Sequence, residues 1–95
     1  MLEVTNKAVI LLKAAKAAQG APREAGIRIV RGTVPADGSD ALAVGFAISD
    51  EPAPDDEEFE QNGLRVFVQD SLIEPLDGRV LDVAEAEDGS ELVFR

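Results

Sequence analysis

The segment "NKAVILLKAAKAAQG" (Asn6–Gly20) carries a helical pattern marked at both ends, and no later stretch of the 95 residues repeats it. Thr5 stands where a side-chain oxygen can accept from the first free amides of a helix, and Gly20 where a helix ends in the left-handed conformation. Ala8, Leu11, Leu12 and Ala15 follow the i, i+3, i+4, i+7 spacing of a buried stripe, with Asn6, Lys13 and Lys16 on the solvated side. Ile10, Ala14 and Ala17 add a second apolar strip that one sheet would not cover. Other elements of the same chain are its expected cover, because large bare apolar patches are uncommon on monomers; a second subunit of a homo-oligomer is the alternative.

Beyond the helix the apolar segments are short and alternating. "IRIVRGTV" sets Ile27 and Ile29 against Arg28, a strand with one wet face whose arginines read as surface groups. In "ALAVGFAI" the large residues Leu42, Val44, Phe46 and Ile48 alternate with Ala41, Ala43, Gly45 and Ala47, so one face fills a core and the other permits close approach. "SDEPAPDDEEFEQNG" holds seven acids between Asp50 and Glu60 and reads as an exposed loop or short edge segment anchored by Phe59. "LRVFVQD" is a strand entered through an Asn62–Gly63 turn. "SLIEPLDG" is too short and too proline-interrupted for a regular helix, and reads as a turn tucking Leu72, Ile73 and Leu76 under the sheet. Val80–Ala84 and Glu91–Phe94 complete the pattern as strands around an Asp88–Gly89 turn. One helix followed by five or six strands points to an α+β fold with mainly antiparallel pairing. A chain of this size holds one modest core, so residues 1–95 are read as a single domain.

The residue inventory removes most chemistry. There is no cysteine and no histidine, which excludes disulfides, thiol catalysis and the commonest general base and metal ligand. A formal charge of −10 opposes binding to a phosphate backbone, and four Phe with no Trp or Tyr give few stacking platforms, so nucleic acid is not an expected partner. Lys7, Lys13 and Lys16 interrupt the longest apolar pattern, no membrane span fits, and no signal peptide is visible, which places the protein in the cytoplasm. A serine nucleophile would lack a base, and neither Gly-x-Ser-x-Gly nor Ser-x-x-Lys is present; the chain reads as not an enzyme.

Several stretches in order resemble the A-type iron–sulfur cluster carrier family, the HesB/IscA-like proteins. They are the Asp50-Glu51-Pro52 corner, the acidic segment ending in Phe59, Gly63 before Val66 and Val68, Leu76-Asp77-Gly78 and Leu81-Asp82. The leading helix, the "GIRI" strand and the loop before "ALAVGFAI" also agree. The resemblance implies a HesB-like domain, one N-terminal helix on short, mainly antiparallel or mixed sheets. In that family three cysteines hold iron or a 2Fe–2S cluster, often between subunits. By spacing from Asp50-Glu51-Pro52, the first falls on Ser39, after Gly38; the other two belong to a Cys-Gly-Cys tail beyond the last strand. The family's frequent glutamate near the end of the strand that matches "ALAVGFAI" falls on Ala47, and its Asp-x-x-Ser motif after the valine-rich strand on Gln69–Leu72. A serine hydroxyl stays protonated near neutral pH and is a poor substitute for thiolate, so no cofactor is expected.

The resulting expectation is a non-catalytic, cysteine-less relative of the carriers, an accessory or protein-interaction protein whose protein partner is unknown. Alternatives are a structural subunit of a complex, or an oxygen-ligand module for iron or another hard cation, built from Asp37, Asp40 and the acidic segment. Against the last, "ADGSD" (Ala36–Asp40) is ordinary turn chemistry, and Asp50–Glu60 is an ordinary solvated edge.

Overall fold

The computed structural model describes residues 1–35, 43–87 and 89–95. The elements run β1 (Glu3–Val4), α1 (Asn6–Ala18), β2 (Gly26–Pro35), β3 (Ala43–Ser49), β4 (Glu57–Gln61), β5 (Leu64–Val68), α2 (Asp70–Leu76), β6 (Val80–Ala86) and β7 (Gly89–Phe94). They form a three-stranded sheet ordered β1-β6-β7 and a four-stranded sheet ordered β3-β2-β5-β4. Pairing is antiparallel except for β1 with β6 and β2 with β5. The α+β expectation with mainly antiparallel, mixed sheets holds.

Helix α1 begins and ends where the sequence places it. The Thr5 hydroxyl accepts from the Ala8 amide at 3.2 Å and donates to Asp82 Oδ1 at 2.8 Å, so one side chain caps the helix and ties it to β6. At the far end Ala21 N–H donates to Lys16 C=O and Gly20 N–H to Ala17 C=O, the paired bonds of a Schellman termination.

The buried face of α1 is rotated from the expected stripe. Ala8, Val9, Leu12 and Lys16 are buried, Leu11 is half-buried, and Ala15 is exposed. Lys16, expected on the wet side, retains 8% of its exposure. Its long stem covers apolar surface while the ammonium donates to Arg23 C=O at 3.2 Å. The second strip is not covered within the described residues: Ile10 is 68% exposed, and Ala14 and Ala17 are exposed. Residues of both sheets share the core cluster with Ala8, Val9 and Leu12, and among the described residues Ile10, Ala14 and Ala17 stay outside it.

The core lies between α1, α2 and one face of the four-stranded sheet, with Ile27, Ile29, Val44, Leu64, Val66 and Val68 inward. Strand parity puts Phe67 on the other face, yet it is fully buried, with the Arg65 guanidinium 4.9 Å above its ring. β4 is one edge strand and β3 the other, with Phe59 of β4 half-buried against the core. Asn62 and Gly63 both have positive φ, 52° and 82°, the pair a two-residue hairpin turn requires between β4 and β5.

Three further expectations are corrected. "DSLIEPL" is a seven-residue helix, α2, that buries Leu72 and Leu76. Pro75 cannot donate to Ser71 C=O, the acceptor four residues back; instead Arg31 Nη2 donates to that carbonyl at 3.3 Å, which lets a proline-containing turn remain helical. β6 and β7 pair from Leu81–Phe94 to Ala86–Gly89, longer than the expected strands, so Gly89 belongs to the ladder rather than to the turn; Asp88, the other expected turn residue, lies outside the described residues. The described residues therefore hold two helices and seven strands, β1 being a short addition before α1.

Candidate functional site

The loop singled out from sequence, with Asp37, Ser39 and Asp40, lies outside the described residues; the two strands that carry it do not. β2 and β3 pair from Gly26–Ser49 to Pro35–Ala43, and the register slips between Arg31 and Val34, both of which oppose Val44. This is a β-bulge at the root of the loop. A Cβ on Gly32 would stand 2.5 Å from the Gly45 nitrogen and from the Val44 carbonyl, so only glycine lets the bulge fold onto β3. The close approach depends on Gly32 and not on the small face of "ALAVGFAI": a Cβ on Gly45 would meet Gly32 Cα and Val30 Cγ2 at 3.7 Å, an ordinary contact. Ala47, on the same face, is exposed.

The bulge is fixed from the other side by the start of α2. Arg31 N–H donates to Gln69 Oε1 at 2.8 Å, Arg31 Nε donates to Ser71 Oγ at 3.3 Å, and Gln69 N–H donates to Ile29 C=O at 2.9 Å. Where the resembled family has Asp-x-x-Ser, Gln69 here supplies an amide oxygen to a backbone N–H at the loop's root.

The other described flank is the end of β7. The Phe94 ring stacks on Phe46 of β3, with centroids 6.3 Å apart and planes 10° from parallel. Arg95 exchanges backbone hydrogen bonds with Val80 at 2.8 and 3.1 Å, and its Nε meets Asp82 Oδ2 at 3.1 Å. Asp82 also accepts from Thr5 and from Val83 N–H; chiefly the Val83 amide, then the Thr5 hydroxyl and Arg95, hold its carboxyl below the usual carboxylate range. The strand leaving the 36–42 loop and the strand carrying the last residues are thereby brought together at Phe46 and Phe94.

The acidic segment divides in two. Asp56 is pinned: its side chain is 2% exposed, and it takes Arg28 Nε at 2.6 Å, Arg28 Nη2 at 3.0 Å and Ala53 N–H at 2.8 Å. Arg28, expected at the surface, is 26% exposed and fixes the corner to β2 through this fork. The Arg28 hydrogen bond, and after it the Ala53 amide, lower the Asp56 carboxyl from its ordinary value against the opposing effect of burial. The remaining acids face solvent or half-solvent, and Glu58 pairs with Arg65 at 3.0 Å. Among the described residues no three acids converge as a metal would need.

A feature that sequence reasoning missed lies at the C-terminal end of α1. A concavity of about 390 Å³ is lined by residues including Lys13, Lys16, Ala21, Pro22, Arg23 and Gly63. Its cations come from α1 and the loop after it, and the β4–β5 turn closes it through Lys13 Nζ, which donates to Asn62 C=O at 2.7 Å. Lys16, placed on the wet side by the sequence reading, lies four residues after the buried Leu12 on the same helix face, and that spacing is the signal that could have found it.

Comparison with solved structures defines the class. The chain superposes over its full length on 81% of IscA in a crystal structure with a 2Fe–2S cluster, at a TM-score of 0.73 and 23% identity. It matches 83% of Escherichia coli SufA, involved in biosynthesis of iron–sulfur clusters, at 0.76 and 23%. It also matches 89% of a protein from Aquifex aeolicus solved by solution NMR, at 0.75 and 21%. The fold is that of the A-type iron–sulfur carriers, as the resemblance implied. No family model matches the sequence. A curated relative does: the uncharacterized protein blr1755 of Bradyrhizobium diazoefficiens is 32% identical over 94 residues, covering 99% of this chain and 85% of the relative. The chain belongs to the family of that protein. Among the described residues no helix is long and apolar enough to cross a membrane.

Proposed function

We propose that this protein keeps the A-type carrier fold without carrying a cluster on its own residues, and acts as a non-catalytic accessory or protein-interaction relative of the assembly machinery. One observation carries the reading: the 95 residues contain neither cysteine nor histidine, on a fold whose solved example IscA holds a 2Fe–2S cluster. Iron–sulfur clusters are held by thiolate, with imidazole in its place at some sites, and a hydroxyl that stays protonated near neutral pH is a poor substitute. The polar groups at the root of the 36–42 loop support the same reading, since Arg31, Gln69 and Ser71 are bonded to one another. They tie β2 to the start of α2.

Anaerobic reconstitution with ferrous iron and sulfide, followed by desalting, tests it. The expected outcome is no stoichiometric iron or sulfide on the protein and no charge-transfer absorbance. A stoichiometric, spectroscopically defined cluster would overturn the proposal.

A further inference from the structure

In a chain of charge −10, the concavity at the end of α1 gathers three of nine basic residues and has no Asp or Glu among its lining residues. Lys16 is the sharpest member. Lysine is almost never this buried without a carboxylate, because an ammonium loses hydration that only a counter-ion or several hydrogen bonds restore. Among the described residues Lys16 has one acceptor, Arg23 C=O, and no carboxylate. Lys13 likewise has the Asn62 carbonyl alone. Each ammonium carries three donors, so both keep donors free. Arg23 is exposed, and its guanidinium has no acceptor among the described residues.

The bland account is that Lys16, in the last turn of α1, balances the helix's own terminal carbonyls. That partial charge amounts to about half a unit, against three full cations around one hollow. Two of its carbonyls are already bonded in the Schellman termination. An excess of positive charge remains, facing a volume of about 390 Å³, within the range that takes a small organic ligand.

We propose that this concavity is a binding site for a small polyanionic molecule, whose phosphate or carboxylate oxygens are held by Lys13, Lys16 and Arg23. None of its lining residues belongs to β2, β3 or β7, and the site does not depend on whether the protein carries a cluster.

The test is a titration of the ¹⁵N-labelled 95-residue protein with pyrophosphate and, separately, citrate, each against sodium chloride at matched ionic strength. The expected result is a saturable shift of the Lys13, Lys16, Ala21, Arg23 and Gly63 amides with at least one of the two anions; the stronger one identifies the preferred oxyanion. Arg23→Gln, at an exposed position, should weaken binding about fivefold, the size of one partly solvated charge contact. Lys16→Met should weaken it at least about tenfold, as expected for a desolvated one. Lys7→Gln, a cation outside the concavity, should change nothing. The proposal is overturned if chloride reproduces the shifts, if they spread over the other cations, or if Arg23→Gln and Lys16→Met leave the affinity unchanged. It is also overturned if only a polyglutamate peptide binds there, which would make the surface a protein-docking site.

Discussion

The acidic corner and the basic hollow treat charge in opposite ways. Residues 50–60 form a dense acidic run in sequence, yet the one member that is buried, Asp56, is fully engaged by Arg28 and Ala53. Lys13, Lys16 and Arg23 are spread over eleven positions and converge on a hollow without any carboxylate. A conspicuous charge run can thus be mostly solvent-facing with one structural acid inside it, while scattered charges assemble a local potential. The difference matters because a paired buried charge stabilises a fold only as a pair, whereas an unpaired one is retained at a cost.

The contrast breaks most visibly at Asp56. Asp56→Ala removes both Arg28 bonds and the Ala53 acceptor, and should destabilise the protein by about 2–3 kcal/mol; Arg28 is 26% exposed, so the loss stays below that of a fully buried orphan. For a domain of this size that lowers Tm by roughly 10–20 °C, measurable by thermal unfolding followed by circular dichroism. An unchanged Tm would place Asp56 with its solvent-facing neighbours.

Acid titration gives the next effect. The folded Asp56 carboxyl ionises below its ordinary value, so its contribution is fully present above the unfolded pKa of about 4 and disappears as pH falls through the lower folded value. Wild type should therefore lose Tm more steeply than Asp56→Asn between about pH 5 and pH 2, the two converging at the acid end. Asp82, lowered in the same direction by Val83, Thr5 and Arg95, leaves the variant some acid sensitivity of its own. Parallel curves would sink the assignment. Within the same acidic run, Glu58→Ala should shift stability by no more than about 0.5 kcal/mol, because its pair with Arg65 is largely solvated.

Sequence reasoning reached the elements that local chemistry specifies. The Thr5 cap, the Gly20 termination, the Asn62–Gly63 turn and the inward Phe59 each depend on a few adjacent residues, and each is found in place. It failed where a distant partner decides. Helix α2 tolerates Pro75 because Arg31, 40 positions before Ser71, serves the carbonyl that proline abandons. Lys16 is buried because the loop to Arg23 folds back over it. Arg28 is drawn inward by Asp56, and the Gly32 contact exists only once the bulge closes on β3. Ser39, assigned by spacing from Asp50-Glu51-Pro52, sits outside the described residues, so the loop was legible only through its two roots.

An effect as small is expected at Lys16, and it separates the two regions most clearly. Lys16→Met keeps most of the apolar stem that packs under the loop. It removes one hydrogen bond to Arg23 C=O, a loss of about 1 kcal/mol, and relieves an ammonium of comparable desolvation cost. The two changes nearly cancel, so Tm should move by no more than about 4 °C in either direction. A buried charge that can be deleted at so little cost is not there for the fold. Adding pyrophosphate sharpens the point, since a ligand that binds only the folded state raises Tm. Wild type should be stabilised by the anion and Lys16→Met should not, whereas Asp56→Asn should keep the full increment despite its lower starting Tm. If Lys16→Met instead unfolds the protein as readily as Asp56→Ala does, the ammonium is a structural group and the contrast between the corner and the hollow collapses.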